Sequence, residues 1–239
     1  MARALLDNAF APVTFTYGFV ESPFAQFSRT FISWRNEIDA KFGTQTEVRH
    51  FSAPLPEALL SLEPLTTPLD RYVLIETRSP WTAIFSNGLR VNDVASPVSY
   101  LPTLLKCRGL HVSCIPDRSC RARRDALQIW GAVTFTLYGP EKTDWLNRVR
   151  HIGVTRDVSG WGFAAQGEIQ SFEKTENYQK RKIVDRFAPE MLELYCAALG
   201  IKLLDANFYG GRCLISHTKR ATLSGPTMSI AEARRHLYL

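Results

Sequence analysis

Cys107, His111, Cys114 and Cys120 lie within fourteen residues of one another, and thiols and an imidazole at that density are the raw material of a zinc site. Structural zinc sites usually use a compact Cys-x2-Cys knuckle, which this chain lacks. A strand through Leu110–Ile115 also sets His111 and Cys114 on opposite faces, because side chains alternate along a strand. No metal and no cofactor is expected. Cys213 and His217 would make a nucleophile and base, but four residues of strand span about 13 Å, too far for a hydrogen bond without a turn. Gly-x-Ser-x-Gly, Gly-x-x-x-x-Gly-Lys-Ser/Thr and Gly-x-Gly-x-x-Gly are all missing, and Gly160-Trp161-Gly162 reads as a hairpin turn. Asp70, Glu76, Asp93, Asp117 and Asp157 show no spacing that pairs carboxylates for nuclease chemistry. No catalytic residue is therefore assigned.

The basic residues are the strongest polar signal. Arg118, Arg121, Arg123 and Arg124 crowd one loop, Lys180, Arg181 and Lys182 fall on an expected helix, and Lys219, Arg220, Arg234 and Arg235 lie near the C-terminus. Brought together, they would form a cationic surface able to hold phosphates or an acidic protein. Dispersed, they are solvated charges, partly paired with Glu173, Glu176 and Asp185 on the same helix, and that is the simpler reading. The binding residues expected from this pattern are Arg118, Arg121, Arg123, Arg124, Arg234 and Arg235. A net charge of +6 and a pI near 9.2 suit an acidic partner, although solubility alone accounts for an excess of that size.

The elements that must position these groups follow from the apolar pattern. At 239 residues, 45% hydrophobic and 22% charged, the chain suits one large domain. Thr14–Val20 alternates as an opening strand. Ser22-Pro23 then starts a helix whose Phe24, Phe27, Phe31, Trp34, Ile38 and Phe42 recur at spacings of three and four until Gly43. Glu47–Ser52 reads as a strand and Pro56–Leu62 as a short helix. The prolines at 54, 56, 64 and 68 mark a connector, with a subdivision near 54–70 as a second reading. Tyr72–Thr77 and Trp81–Asn87 form a hairpin, and Asn87-Gly88 is a turn signal. Ser96 caps a helix with Pro97 in its first turn. Strands follow at Leu110–Ile115 and Ile129–Tyr138, the latter closed by Gly139-Pro140.

Val149–Thr155 and Trp161–Ala165 form a hairpin about Ser159-Gly160. Thr175–Leu199 reads as two helices broken at Pro189, with Cys196 a small core residue. Arg212–Ser216 adds a last strand, and Ser229–Glu232 is a capping box for a basic helix. Single strands and hairpins with scattered helices give an α+β fold: a mixed, mainly antiparallel sheet with helices packed against it. No run reaches the roughly 18 apolar residues of a membrane span. With an odd count of five cysteines and no signal peptide, the chain is expected to be cytoplasmic and without a disulfide framework.

Trp81–Gly88, Ser96–Leu101, Leu137–Glu141 and Asp185–Leu192, with Phe172-Glu173, Tyr178 and Arg181, resemble a group of uncharacterised bacterial hypothetical proteins. That resemblance implies no activity and no site residues. The general look, a lone α+β domain without a catalytic signature, is similar to immunity proteins of bacterial toxin systems. The function expected is thus a non-catalytic cytoplasmic protein that binds and neutralises a cognate toxin, away from any membrane. The alternatives are a nucleic-acid-associated protein using loop 118–124 and the C-terminal basic helix, or an enzyme of unrecognised type.

Overall fold

The computed structural model describes residues 5–89, 94–118, 129–143, 145–219 and 225–237. In chain order the elements are β1 (Thr16–Val20), α1 (Phe24–Phe42), β2 (Gln45–Pro54), α2 (Leu55–Leu60), β3 (Arg71–Thr77), β4 (Thr82–Ser86), α3 (Ala95–Leu105) and β5 (Gly109–Ile115). Then come β6 (Ala132–Thr143), β7 (Leu146–Asp157), β8 (Gly160–Gly167), α4 (Pro189–Ala198), β9 (Tyr209–Lys219) and α5 (Ile230–His236). Among the described residues nine strands join one sheet in the order β2-β9-β3-β4-β1-β5-β6-β7-β8, every neighbour antiparallel. A single parallel bridge, Thr66 to Gly88, lies outside the named strands. The fold is α+β, and one continuous sheet runs from the residues before the 54–70 connector to those after it.

Helices cover both faces. Tyr72 and Leu74 of β3 point into one layer with Phe24, Phe27 and Phe31 of α1 and Val98 and Leu101 of α3. Val73 and Ile75 point the other way, into a larger layer with Leu55 and Leu59 of α2 and Leu192 and Tyr195 of α4. This double cover explains why β1 and β4 are buried along their whole length rather than at alternate positions. Each fully buried Phe of α1 contributes on the order of 2 kcal/mol. The helix stops at Gly43, whose φ of 64° gives the left-handed cap that donates to the Asp39 carbonyl.

Several expectations need correction. α3 begins at Ala95 with no side-chain cap, so Ser96 lies inside it. Pro102 sits within the helix and has no N–H for the Val98 carbonyl. That carbonyl instead lies over Gly109 of β5, where a methyl group would overlap it and approach the Pro102 ring to 2.8 Å. Gly139-Pro140 does not close β6, which runs on to Thr143 through a register irregularity that tolerates the proline. β4 does stop at Ser86, just before Asn87-Gly88, and Asn87 itself is fully buried. β9 is longer than expected and lies between β2 and β3.

The largest correction concerns 175–188. The α-helix starts only at Pro189, with α4; Thr175–Gln179 and Ile183–Asp185 are short 3-10 turns, so Lys180, Arg181 and Lys182 lie on no helix. Tyr178 and Phe187 explain why. Both meet Tyr195, the first through its hydroxyl at 3.0 Å and the second by ring contact at 5.5 Å. Nine residues of α-helix would set them on opposite sides, so the segment must coil.

Candidate binding surface

Antiparallel alternation brings the start of β1, β3, β6 and β8 and the end of β4, β5, β7 and β9 to one end of the sheet. Arg118 emerges there, just beyond β5. Its backbone N–H donates to the Ile129 carbonyl at 3.0 Å, which pins the two ends of the basic loop together. Asp117 beside it is ion-paired with Arg156 of β7, whose guanidinium lies 6.0 Å from the Trp161 ring centre. Gly131 is required at this stem because a side chain would strike Trp161 at 2.5 Å and Asp117 at 2.7 Å.

α5 arrives at the same place. Ser229 and Glu232 form the expected capping box: the Glu232 N–H donates to Ser229 Oγ at 3.2 Å and the Ser229 N–H to Glu232 Oε2 at 2.8 Å. The Ser229 N–H and the Ser229 hydroxyl, both donating to Glu232 Oε2, then Arg235 and His236, hold the Glu232 carboxyl below its usual range. Ile230 and Ala233 pack on the main core. Leu237 joins Ala11, Phe15, Ile129 and Ile115 in a separate apolar cluster at the loop stem. The last turn of α5, with Arg234, Arg235 and His236, is thereby anchored beside Arg118, and its cations complement the helix dipole. Among the described residues no carboxylate pairs with Arg118, Arg234 or Arg235, and the Nε atoms of Arg118 and Arg234 are buried without a hydrogen-bond partner.

The sequence clusters thus divide. Arg118 and the helix turn that carries Arg234 and Arg235 are tied to one stem, through the Arg118–Ile129 backbone bond and the cluster that Leu237 shares with Ile129. Arg121, Arg123, Arg124 and Arg220 lie outside the described residues. Lys219 pairs with Glu47 at 2.5 Å in the β2–β9 half of the sheet. Lys182 makes an exposed 3.8 Å pair with Asp185. Glu173, expected to neutralise those lysines, is instead buried against Arg150 of β7 at 2.7 Å.

The cysteine groupings do not assemble. Cys107 packs in the α1–α3 layer and Cys114 in the opposite one, and Cys120 lies outside the described residues. Burial pushes the Cys107, Cys114 and Cys213 thiols up to about 11, so they stay protonated near neutral pH and are weak ligands and nucleophiles. No cluster of three His, Cys, Asp or Glu suited to a metal occurs among the described residues.

One group escaped sequence reasoning. His217 Nε2 lies 3.4 Å from Asp70 Oδ2, although the two are far apart in the chain. Only the β3–β9 pairing creates this contact, and no local motif announces it.

Fold and site together define an α+β protein with a nine-stranded antiparallel sheet and a basic surface at one end. No protein-family model, no curated protein and no solved structure matches the chain. Among the described residues no helix is long and apolar enough to cross a membrane.

Proposed function

We propose that the chain is a cytoplasmic binding protein that grips an acidic macromolecule with Arg118, Arg234 and Arg235. The supporting observation is the Leu237–Ile129–Ile115 cluster, which ties two distant cation-bearing segments to one stem, where none of the described carboxylates forms an ion pair with Arg118, Arg234 or Arg235. Arginine is enriched among the residues that anchor interfaces. The finer reading is an immunity-type role, in which this surface occludes a cognate toxin whose facing side is acidic.

Nucleic acid is the second reading, favoured by the same guanidinium groups, since phosphates neutralise arginines equally well. The test is a double charge reversal, Arg118→Glu with Arg235→Glu. For a toxin-like protein encoded next to this chain, the wild type associates at micromolar concentration and the double variant does not. For mixed-sequence DNA, the wild type shows binding that fades as salt rises toward about 0.2 M. Failure of both partners to bind, or equal binding by the double variant, removes the proposal.

A further inference from the structure

A second cationic site lies at the same end of the sheet, where β3, β9 and β2 run side by side. Arg71 stands opposite His217 across the β3–β9 ladder, and His217 stands opposite Glu47 across β9–β2. Arg49 is opposite Ile215, one diagonal step from His217. Directly opposed and diagonal residues share a face of the sheet, so Arg71, His217, Arg49 and Glu47 project together. With Ser61 beyond α2 they line a cavity of about 620 Å³. That falls within the roughly 300–1,000 Å³ of small-ligand sites.

The support behind His217 in this cavity is built rather than incidental. Asp70 is 4% exposed, and its Oδ1 accepts from Asn87 Nδ2 at 2.6 Å and Thr66 Oγ1 at 3.2 Å. Its Oδ2 faces His217 Nε2. Asn87 is fully buried and fixed in turn: its Oδ1 accepts from the backbone N–H of Asp70 at 3.0 Å and of Arg71 at 2.9 Å, and its Nδ2 also donates to the Pro64 carbonyl at 2.9 Å. The imidazole is thus oriented by a locked carboxylate, and Nδ1 remains as its other polar atom.

The charges do not balance within the protein. Glu47 is taken by Lys219, and Asp70 by His217, Asn87 and Thr66. Arg49 and Arg71 have no carboxylate partner among the described residues; Arg49 lies 5.3 Å from the Phe51 ring centre, and Arg71 Nε is buried with no hydrogen-bond partner.

We propose that this cavity binds the phosphoryl group of a small phosphorylated molecule, held by Arg71, Arg49 and His217. A tetrahedral dianion presents oxygens in several directions and can meet two guanidinium groups and an imidazole rising from three strands. A planar carboxylate is satisfied by one guanidinium fork. The volume left over accommodates the organic part of the ligand. This site is separate from the Arg118–Arg235 surface and does not depend on its role.

The test is calorimetric titration of the full chain with inorganic phosphate, adenosine monophosphate and sodium acetate at matched ionic strength. Phosphate and the nucleotide are expected to bind, the nucleotide more tightly, and acetate not to compete. Arg71→Gln and Arg49→Gln should each weaken binding about tenfold or more, while exposed Lys202→Gln changes nothing. If Arg71→Gln fails to fold, Arg49→Gln, on an exposed position, carries the comparison. No heat with millimolar phosphate or nucleotide, equal competition by acetate, or unchanged affinity in Arg49→Gln would overturn the proposal.

Discussion

Replacing Glu173 with alanine removes one half of an ion pair whose side chains are 3% exposed on Arg150 and 0% on Glu173. The carboxylate accepts from Arg150 Nε at 2.9 Å and Nη2 at 2.7 Å, from the Gln170 N–H at 2.8 Å and from the Tyr178 hydroxyl at 2.8 Å. Burial, then hydrogen bonds to Tyr195 and Glu173, hold the Tyr178 hydroxyl far above its usual range, so it remains a donor. After the substitution Arg150 keeps only its bond to the Gly167 carbonyl, at 3.0 Å, and a dry guanidinium is left without a counter-charge. Removing one partner of a buried pair costs about 3–5 kcal/mol. In a chain of this size that lowers the midpoint of thermal unfolding by about 10 °C.

The assay is urea unfolding followed by tryptophan fluorescence, with the slope used to confirm a common unfolded state. The double variant Arg150→Met with Glu173→Leu should recover at least half of the loss, because most of it is the desolvation of a charge left alone. Lys182→Ala, which breaks an exposed pair, should cost under about 0.5 kcal/mol. The reasoning is refuted if Glu173→Ala costs no more than Lys182→Ala, or if the double variant is no more stable than the single one.

Two further outcomes follow from particular residues. Burial, then Arg148 and Arg150, lower His151 from 6.5 to about 4, so between those values the unfolded chain takes a proton that the folded chain refuses. Stability should therefore fall as pH drops through that window, by on the order of 3 kcal/mol in all, and His151→Gln should flatten the slope; an unchanged slope in the variant sinks this account. Gly109→Ala should cost about 1–3 kcal/mol by forcing α3 off β5, whereas Gly162→Ala, whose nearest neighbour would be the Thr155 carbonyl at 3.8 Å, should be nearly neutral; equal thermal midpoints would contradict the packing argument.

Local signals explain which elements were legible in advance. The aromatic spacing of α1, the capping box of α5 and the β7–β8 hairpin each carry their instruction within a dozen or so neighbouring residues, and each forms as read. Ile183, Val184 and Phe187 mimic helical spacing, but Phe187 shares with Tyr178 the target Tyr195, which is set by tertiary packing. Asn87-Gly88 reads as a turn because the pair favours turns in isolation. Its burial depends on Asp70 and Pro64, which no local pattern connects to it. The same holds at the sites. Arg118, Arg234 and Arg235 were visible as charge, yet the common stem of their two segments depends on Leu237, and the Asp70–His217 contact depends on where β9 inserts.

That insertion has a bearing on how the molecule is made. β2 hydrogen-bonds along its whole length to β9 alone among the strands, and β9 comes almost last in the chain. While synthesis proceeds, β2 has no strand beside it and β3 presents an open edge, the kind of edge that recruits strands from other molecules. Completion of the sheet must wait for residues 209–219 to emerge, which makes this a slow, non-local closure. Shortened versions ending before β9 would keep most of the apolar layers yet leave that edge uncovered. They should therefore be judged by whether they stay dispersed, not by how much of the core they retain.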